Sequence, residues 1–229
     1  MSWRKDHHRP PRGYHHGNLT EALLQAALGL IAEKGPAGFT FAEAARSAGV
    51  SPAAPYRHFR DRDELLSNVA ERGFEQFEAL LSAAWDDGRP DTPSAFERLG
   101  KAYLTFAREE PASYAAMFES GLPLQAHPAL LAASERAFNV IRAAAERLAA
   151  MTPPGVSRPP ALMMALHIWS MSHGIASLFA RGDESRRKLP MSAEELLEAG
   201  VLIYLRGLGF PVGGEAAASP KRAPAPVPK

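Results

Sequence analysis

The sequence predicts an all-α protein: an N-terminal three-helix helix-turn-helix domain followed by a larger helical domain, about nine helices in total. Three observations carry this. Apolar residues recur at spacings of three and four with no strand-like alternation. The separators between periodic stretches carry Pro or Gly, and several periodic stretches open on an acceptor side chain with Glu three residues later.

Asn18 with Glu21 opens the first helix, whose stripe of Leu19, Leu23, Ala26 and Leu30 faces a core until Gly35 ends it. Thr40 with Glu43 opens a second helix running to about Ala48, packed through Phe41, Ala44, Ala45 and Ala48. Gly49 supplies the left-handed residue that reverses the chain, and Val50 plugs the corner. Ser51 then caps a third helix, about Pro52 to Phe59, with Pro52 in its first position. Pro55 lacks the N–H that would bond to the Ser51 carbonyl, so the first turn of this helix is expected to be irregular. Asp61 with Glu64 opens a long fourth helix carrying Leu65, Leu66, Val69, Phe74, Phe77, Leu80 and Leu81, which Asp86-Asp87-Gly88-Arg89-Pro90 breaks. Further helices are predicted over Pro93–Arg108, Pro111–Glu119, Pro128–Met151, Arg158–Arg181 and Ser192–Leu208.

These elements divide the chain into a flexible basic arm (1–17), the helix-turn-helix domain (18–66), a second helical domain (67–210) and a flexible Gly-, Ala- and Pro-rich tail (211–229). No internal repeat stands out. The arm, Arg4-Lys5-Asp6-His7-His8-Arg9-Pro10-Pro11-Arg12-Gly13, either lies along a minor groove or is a solvated tail. Residues 1–60 carry eight bases against four acids, a net +4, while the whole chain is only +1. A basic head on a mildly acidic body suits a protein of which one end faces phosphates. The absence of cysteine excludes a disulfide framework and Cys-based zinc fingers. With no apolar run of about 18 residues and a polar N-terminus, no membrane partner and a cytoplasmic location are expected.

The third helix has the chemistry of a groove reader. Small Ala53 and Ala54 permit close approach to base edges, where a methyl can meet a thymine methyl, and Arg57 can pair with guanine O6 and N7. Tyr56 and His58 can donate to phosphate oxygens. Arg62, in the first turn of the fourth helix, is placed to position the protein on a phosphate rather than to read sequence.

The run Ala48-Gly49-Val50-Ser51, then Tyr56-x-His58-Phe59, then Arg62-Asp63-x-Leu65, resembles the DNA-binding domain of the TetR/AcrR family of bacterial transcriptional regulators. The resemblance implies phosphate contacts from the residues at Thr40, Tyr56, His58 and Arg62. It also implies that Pro52, Ala53 and Arg57 lie near bases, with Ser51 and Ala54 completing the DNA-binding set. Pro52 and Ala53 offer no side-chain hydrogen bond, so readout leans on Arg57 and on groove shape. Farther on, Trp169-x-x-x-His173-Gly174 resembles the C-terminal domain of the subgroup named for that Trp-His-Gly (WHG) signature.

In the second domain, Leu162, Leu166, Trp169, Ile175, Leu178 and Phe179 with Leu196, Leu197, Leu202, Ile203 and Leu205 give two helices broader in apolar cover than a single bundle needs. This favours homodimerisation through a four-helix seam, with burial inside one large domain as the alternative. An effector pocket has Phe106, Tyr114, Met117, Phe118, Phe138, Trp169 and His173 as candidate lining, each of which also fits ordinary core. No cofactor is expected, and no metal site: His7, His8, His15 and His16 have no carboxylate or further ligand at useful spacing. Nor is an enzyme expected, for lack of a Gly-rich phosphate loop, a Cys nucleophile or a Gly-x-Ser-x-Gly elbow. The resemblance therefore implies a homodimeric regulator, a repressor released from a near-palindromic double-stranded DNA operator by a small-molecule effector of unknown identity. The rivals are a ligand-independent DNA-binding regulator and a helical small-molecule-binding or catalytic protein with a vestigial head.

Overall fold

The computed structural model describes residues 18–179 and 189–211. The arm with its histidines, the Asn18 side chain, the link 180–188 and the tail from 212 lie outside the described residues. Among the described residues there are eight α-helices and no strand: α1 (Asn18–Lys34), α2 (Phe41–Ser47), α3 (Arg62–Trp85), α4 (Thr92–Glu109), α5 (Pro111–Phe118), α6 (Pro128–Met151), α7 (Ala161–Phe179) and α8 (Ala193–Gly207).

The predicted end chemistry forms. The Thr40 hydroxyl accepts from the Glu43 amide at 3.2 Å while the Glu43 carboxylate takes the Thr40 amide at 2.8 Å, a complete capping box. A box not read from the sequence, Ser192 with Glu195, opens α8. After α2, Gly49 at φ +73° lets the Val50 amide return to the Ala45 carbonyl at 3.0 Å. At α3 the box is only half built: Asp61 accepts the Glu64 amide, but the Glu64 carboxylate takes the Arg60 amide at 2.6 Å instead of that of Asp61. Two left-handed aspartates, Asp86 and Asp87, and Gly88 end α3 within the predicted break.

The predicted third helix is the exception. Residues 51–54 form a turn and only Pro55–Arg57 is helical, as a single 3₁₀ turn, so the α-helix count is eight rather than nine. Pro55 has no amide hydrogen to give the Ser51 carbonyl, which instead accepts from Ala54 at 3.0 Å. The tight pattern continues as Arg57 N–H to Ala54 and His58 N–H to Pro55. The residue that precedes this turn is Ala54, which gives it no side-chain cap, so Ser51 does not hold the capping position expected of it.

One hydrophobic core runs from Leu23 in α1 to Phe210 beyond α8. Its spine is α3, which packs on α1 near the head and on α4, α5 and α6 along its length. Phe77 is fully buried at the centre, with Tyr103 and Phe106 each at a 5.0 Å centroid distance and Phe118 and Trp169 at 6.5 Å. Gly73 lets α5 come close: a Cβ there would stand 2.7 Å from Met117 Sδ.

α7 departs from the membrane expectation. It has 19 residues and is long and apolar enough by length and composition to cross a membrane. It packs here on α4, α6 and α8 and buries Met164, Ala165, Ile168, Ile175 and Ala176.

Because Phe77 touches four other rings, Phe77→Ala is expected to lower unfolding stability by about 3–5 kcal/mol, measured by denaturant titration. A loss below about 1 kcal/mol would mean the ring is not central to the packing.

Candidate nucleic-acid interface and effector region

The head presents its turn outward because two residues of that turn anchor inward. Pro55 and Phe59 are buried, which leaves Tyr56 and Arg57 exposed between them, Tyr56 at 64% of its full accessibility. The Tyr56 ring meets Phe41 edge-on at 5.0 Å, so its position is fixed from α2. His58, half-buried, bonds through Nδ1 to the Thr20 hydroxyl at 3.0 Å and ties the turn to α1, which leaves Nε2 as its remaining ring nitrogen. Ser51, Pro52 and Ala53 are exposed and Ala54 is half-exposed, a slim edge ahead of Tyr56. Among the described residues neither Arg46 nor Arg57 has an ion-pair partner, and both are exposed.

Two of the predicted phosphate contacts are committed elsewhere. The Thr40 hydroxyl donates to Glu43 Oε2 at 2.9 Å and accepts from the Glu43 amide, so its only proton is used within the capping box. Hydrogen bonds from Lys34 and from Thr40 hold the Glu43 carboxylate down at about 2, and the box stays ionised across the neutral range. Arg62 folds back over the head. Its Nε donates to the Phe39 carbonyl at 2.9 Å, Nη2 donates to the Pro36 carbonyl, Nη1 pairs with Asp63 at 3.0 Å, and the guanidinium lies 4.7 Å above the Phe39 ring. With its side chain 27% exposed, Arg62 closes the loop between α1 and α2. Sequence reasoning placed it near phosphates and missed this clamp. The signal available was the Gly-Pro-Ala-Gly loop at 35–38, whose carbonyls have no helix to pair with.

The seven effector candidates fall in one region but fill it themselves. Trp169 packs against Phe77, Tyr103, Phe118 and Phe138 at 5.2–6.5 Å. His173 Nδ1 lies 2.8 Å from the Tyr103 hydroxyl and 2.9 Å from that of Tyr114, while Phe106 and Met117 are core. Burial pushes the His173 pKa down, against an opposing pull from Glu119, and pushes both phenols up. Phe77, assigned from sequence only to a helix stripe, and Tyr103 complete this cluster. A cleft of about 440 Å³ lies nearby, lined by residues that include Leu104, Pro111 and Phe179, and none of the seven candidates lines it.

No group of three or more His, Asp or Glu that could hold a metal comes together among the described residues. His167 is exposed and bonds Tyr204 at 3.3 Å, apart from His173.

Comparison with known proteins agrees with this architecture. Residues 23–69 match the family model described as bacterial regulatory proteins, tetR family, and residues 96–203 match that of the tetracyclin repressor-like C-terminal domain. The chain belongs to the TetR family of bacterial regulatory proteins. It is 29% identical over 94 residues to an uncharacterized HTH-type transcriptional regulator of Haemophilus influenzae, covering 41% of this chain and 50% of that protein. It is 31% identical over 110 residues to the nucleoid occlusion factor SlmA of Aliivibrio fischeri, covering 45% and 56%. The chain thus spans about half the length of these curated relatives. Among solved structures, a protein of unknown function from Rhodococcus sp. RHA1 is 30% identical with a TM-score of 0.73, covering 87% of this chain and all of that one.

If Arg62 is a clamp, Arg62→Ala should lower stability by about 1–3 kcal/mol and weaken binding to every DNA sequence alike. The slope of log Kobs against log salt should stay that of the parent. A slope reduced by about 0.9 would instead identify a phosphate contact.

Proposed function

We propose that the chain is a homodimeric, sequence-specific transcriptional repressor that releases a near-palindromic operator when a small molecule binds its second domain. The carrying observation is the outward Tyr56-Arg57 pair on a turn whose neighbours Pro55 and Phe59 are buried and whose leading edge is small. Arg57 reads a base in the major groove, Ser51, Pro52, Ala53 and Ala54 make the close approach, and Tyr56 and His58 hold phosphates. Thr40 and Arg62 support that surface from behind. A protein with this role works in the cytoplasm and needs no catalytic group.

The dimer reading rests on α7 and α8. Met163, Leu166, Ser170, Gly174 and Ser177 share one exposed face of α7, and a Cβ on Gly174 would meet nothing within 4 Å. Leu162, Leu166 and Leu178 are about half-exposed or more, and Ile203 on α8 is 71% exposed beside Tyr204, which bonds α7. A contiguous apolar strip with small residues at its centre fits a second copy packing closely across it. Ile175, Leu197 and Leu205 supply the inward side of the same two helices and are buried within the chain. Within the family, we place the chain in the Trp-His-Gly subgroup: Trp169 and His173 face the aromatic cluster while Gly174 faces out.

In-vitro selection of bound duplexes followed by Arg57→Ala tests the reading: preference at one base pair should fall by about 1–3 kcal/mol with other positions unchanged. Equal binding of random and selected duplexes by the parent protein would refute specific recognition. Ile203→Glu should convert a dimer to monomer in analytical ultracentrifugation and reduce affinity for the full operator far more than for a half-site. An unchanged sedimentation coefficient would place the dimer contact elsewhere.

A further inference from the structure

A neutral His58 can donate to a phosphate in only one of its two forms. An uncharged imidazole carries one N–H and one bare lone pair. With the proton on Nε2 the ring donates from that atom; with the proton on Nδ1 it offers Nε2 as a lone pair, which an anion repels. The hydrogen bond made by the other nitrogen decides between the two. Here that bond joins Nδ1 to the Thr20 hydroxyl at 3.0 Å, across 38 positions of chain, and both side chains are half-buried.

A hydroxyl both donates and accepts, so the bond alone permits either direction. The place of Thr20 in α1 selects one. A threonine inside a helix commonly gives its proton to the carbonyl three or four residues before it. Thr20 is the third residue of α1, and no carbonyl of that helix lies so far back. Donation to Nδ1 is therefore the arrangement that uses the hydroxyl proton. In the reverse arrangement Nδ1–H donates to Oγ1, and the hydroxyl proton has no acceptor among the described residues. If the ring gains a second proton, the hydroxyl turns round to accept from Nδ1–H, and the proton on Nε2 is kept. Thr20 thus admits the two ring forms that donate from Nε2 and disfavours the third.

We infer that Thr20 is a positioning residue for DNA binding: its hydroxyl donates to His58 Nδ1, keeps the proton on Nε2 and so makes His58 a donor to a phosphate oxygen. The inference rests on the proposed contact between His58 and phosphate and adds what prepares the ring for it. With Thr40 and Arg62 committed inside the head, Tyr56 and His58 carry the phosphate contacts that remain, and the state of this one ring counts for more. The same bond fixes the ring against α1, so neither a rotamer search nor a change of tautomer is left for the moment of binding.

The test uses the full chain, with and without a selected duplex, at about pH 9, above the ordinary histidine range. Long-range proton–nitrogen correlation of the histidine rings, with the His58 signals identified by their loss in His58→Ala, should show a bare Nδ1 and a protonated Nε2 in the parent and in Thr20→Ser. Thr20→Val keeps the shape of the side chain without the hydroxyl, and its His58 signals should move towards mixed tautomers. Measured well below the melting point of each variant, Thr20→Val should bind selected and random duplexes alike about three- to tenfold more weakly, and Thr20→Ser should restore the parent affinity. In a His58→Ala background Thr20→Val should cost nothing further. A parent ring protonated on Nδ1, a parent tautomer in Thr20→Val, or the same loss from Thr20→Val with and without His58 overturns the inference. A weakened His58→Ala beside an unaffected Thr20→Val refutes the role of Thr20 alone, whereas parent affinity in His58→Ala refutes the phosphate contact on which that role rests.

Discussion

A single helix carries one core through both domains. At its start α3 places Leu65, Leu66, Val69 and Ala70 in the head, and farther on Phe74, Phe77 and Leu81 in the body, with no solvated stretch between the two sets. Burying each large apolar side chain contributes roughly 1.5–3 kcal/mol, so parting head from body along α3 would cost as much as the net stability of an ordinary domain. The head can tilt on this helix but cannot detach from it. Close packing makes such a tilt a property of the whole bundle: α5 touches α1 of the head, meets α3 at Gly73 and carries Tyr114 and Phe118 into the aromatic cluster.

The head has a different problem, that of holding a non-helical segment still. A 3₁₀ turn of three residues has too few hydrogen bonds to persist by itself. Its order comes from side chains at both ends: Pro55 and Phe59 sunk in the core, His58 bonded to α1 and Tyr56 braced against Phe41. Arg62 fixes the preceding loop by satisfying two carbonyls. These contacts leave Tyr56 and Arg57 presented on a rigid base, which lowers the ordering cost of any complex they form.

What the sequence disclosed follows from how local each signal is. The Thr40–Glu43 box depends on residues three apart and was readable, and Pro and Gly separators placed the ends of Pro128–Met151 to within a residue, whereas the Ser192–Glu195 box, of the same spacing, was missed. Pro55 announced an irregular turn, but the second consequence, that mainly i→i+3 bonds with one i→i+4 bond from the Phe59 amide to Pro55 replace the helix, depends on the short distance to Phe59 and Asp61. The Arg62 clamp joins residues more than twenty positions apart, and nothing local distinguishes a guanidinium that folds inward from one that reaches out. Aromatic residues at helical spacing located the interior of the second domain correctly, yet a cavity is defined by where side chains fail to meet. The cleft lined by Ala107, Ala176 and Phe179 has no sequence signature for that reason.

The hydropathy of α7 has its explanation in the same geometry. Length and composition measure how apolar a helix is, not what covers it, and α7 is apolar on two sides. One side supplies Met164, Ile168 and Ile175 to the core; the other shows Met163, Leu166 and Leu178 around Ser170, Gly174 and Ser177. A helix facing lipid gains nothing from a small-residue strip unless another helix lies against it, whereas a helix between a core and a second copy needs both faces. Under the proposed dimer, α7 lies between the seam and the cleft. Under the proposed effector response, a ligand that shifts this helix would alter the distance between two heads without any contact to them, and half-sites about 34–36 Å apart tolerate little change in that distance.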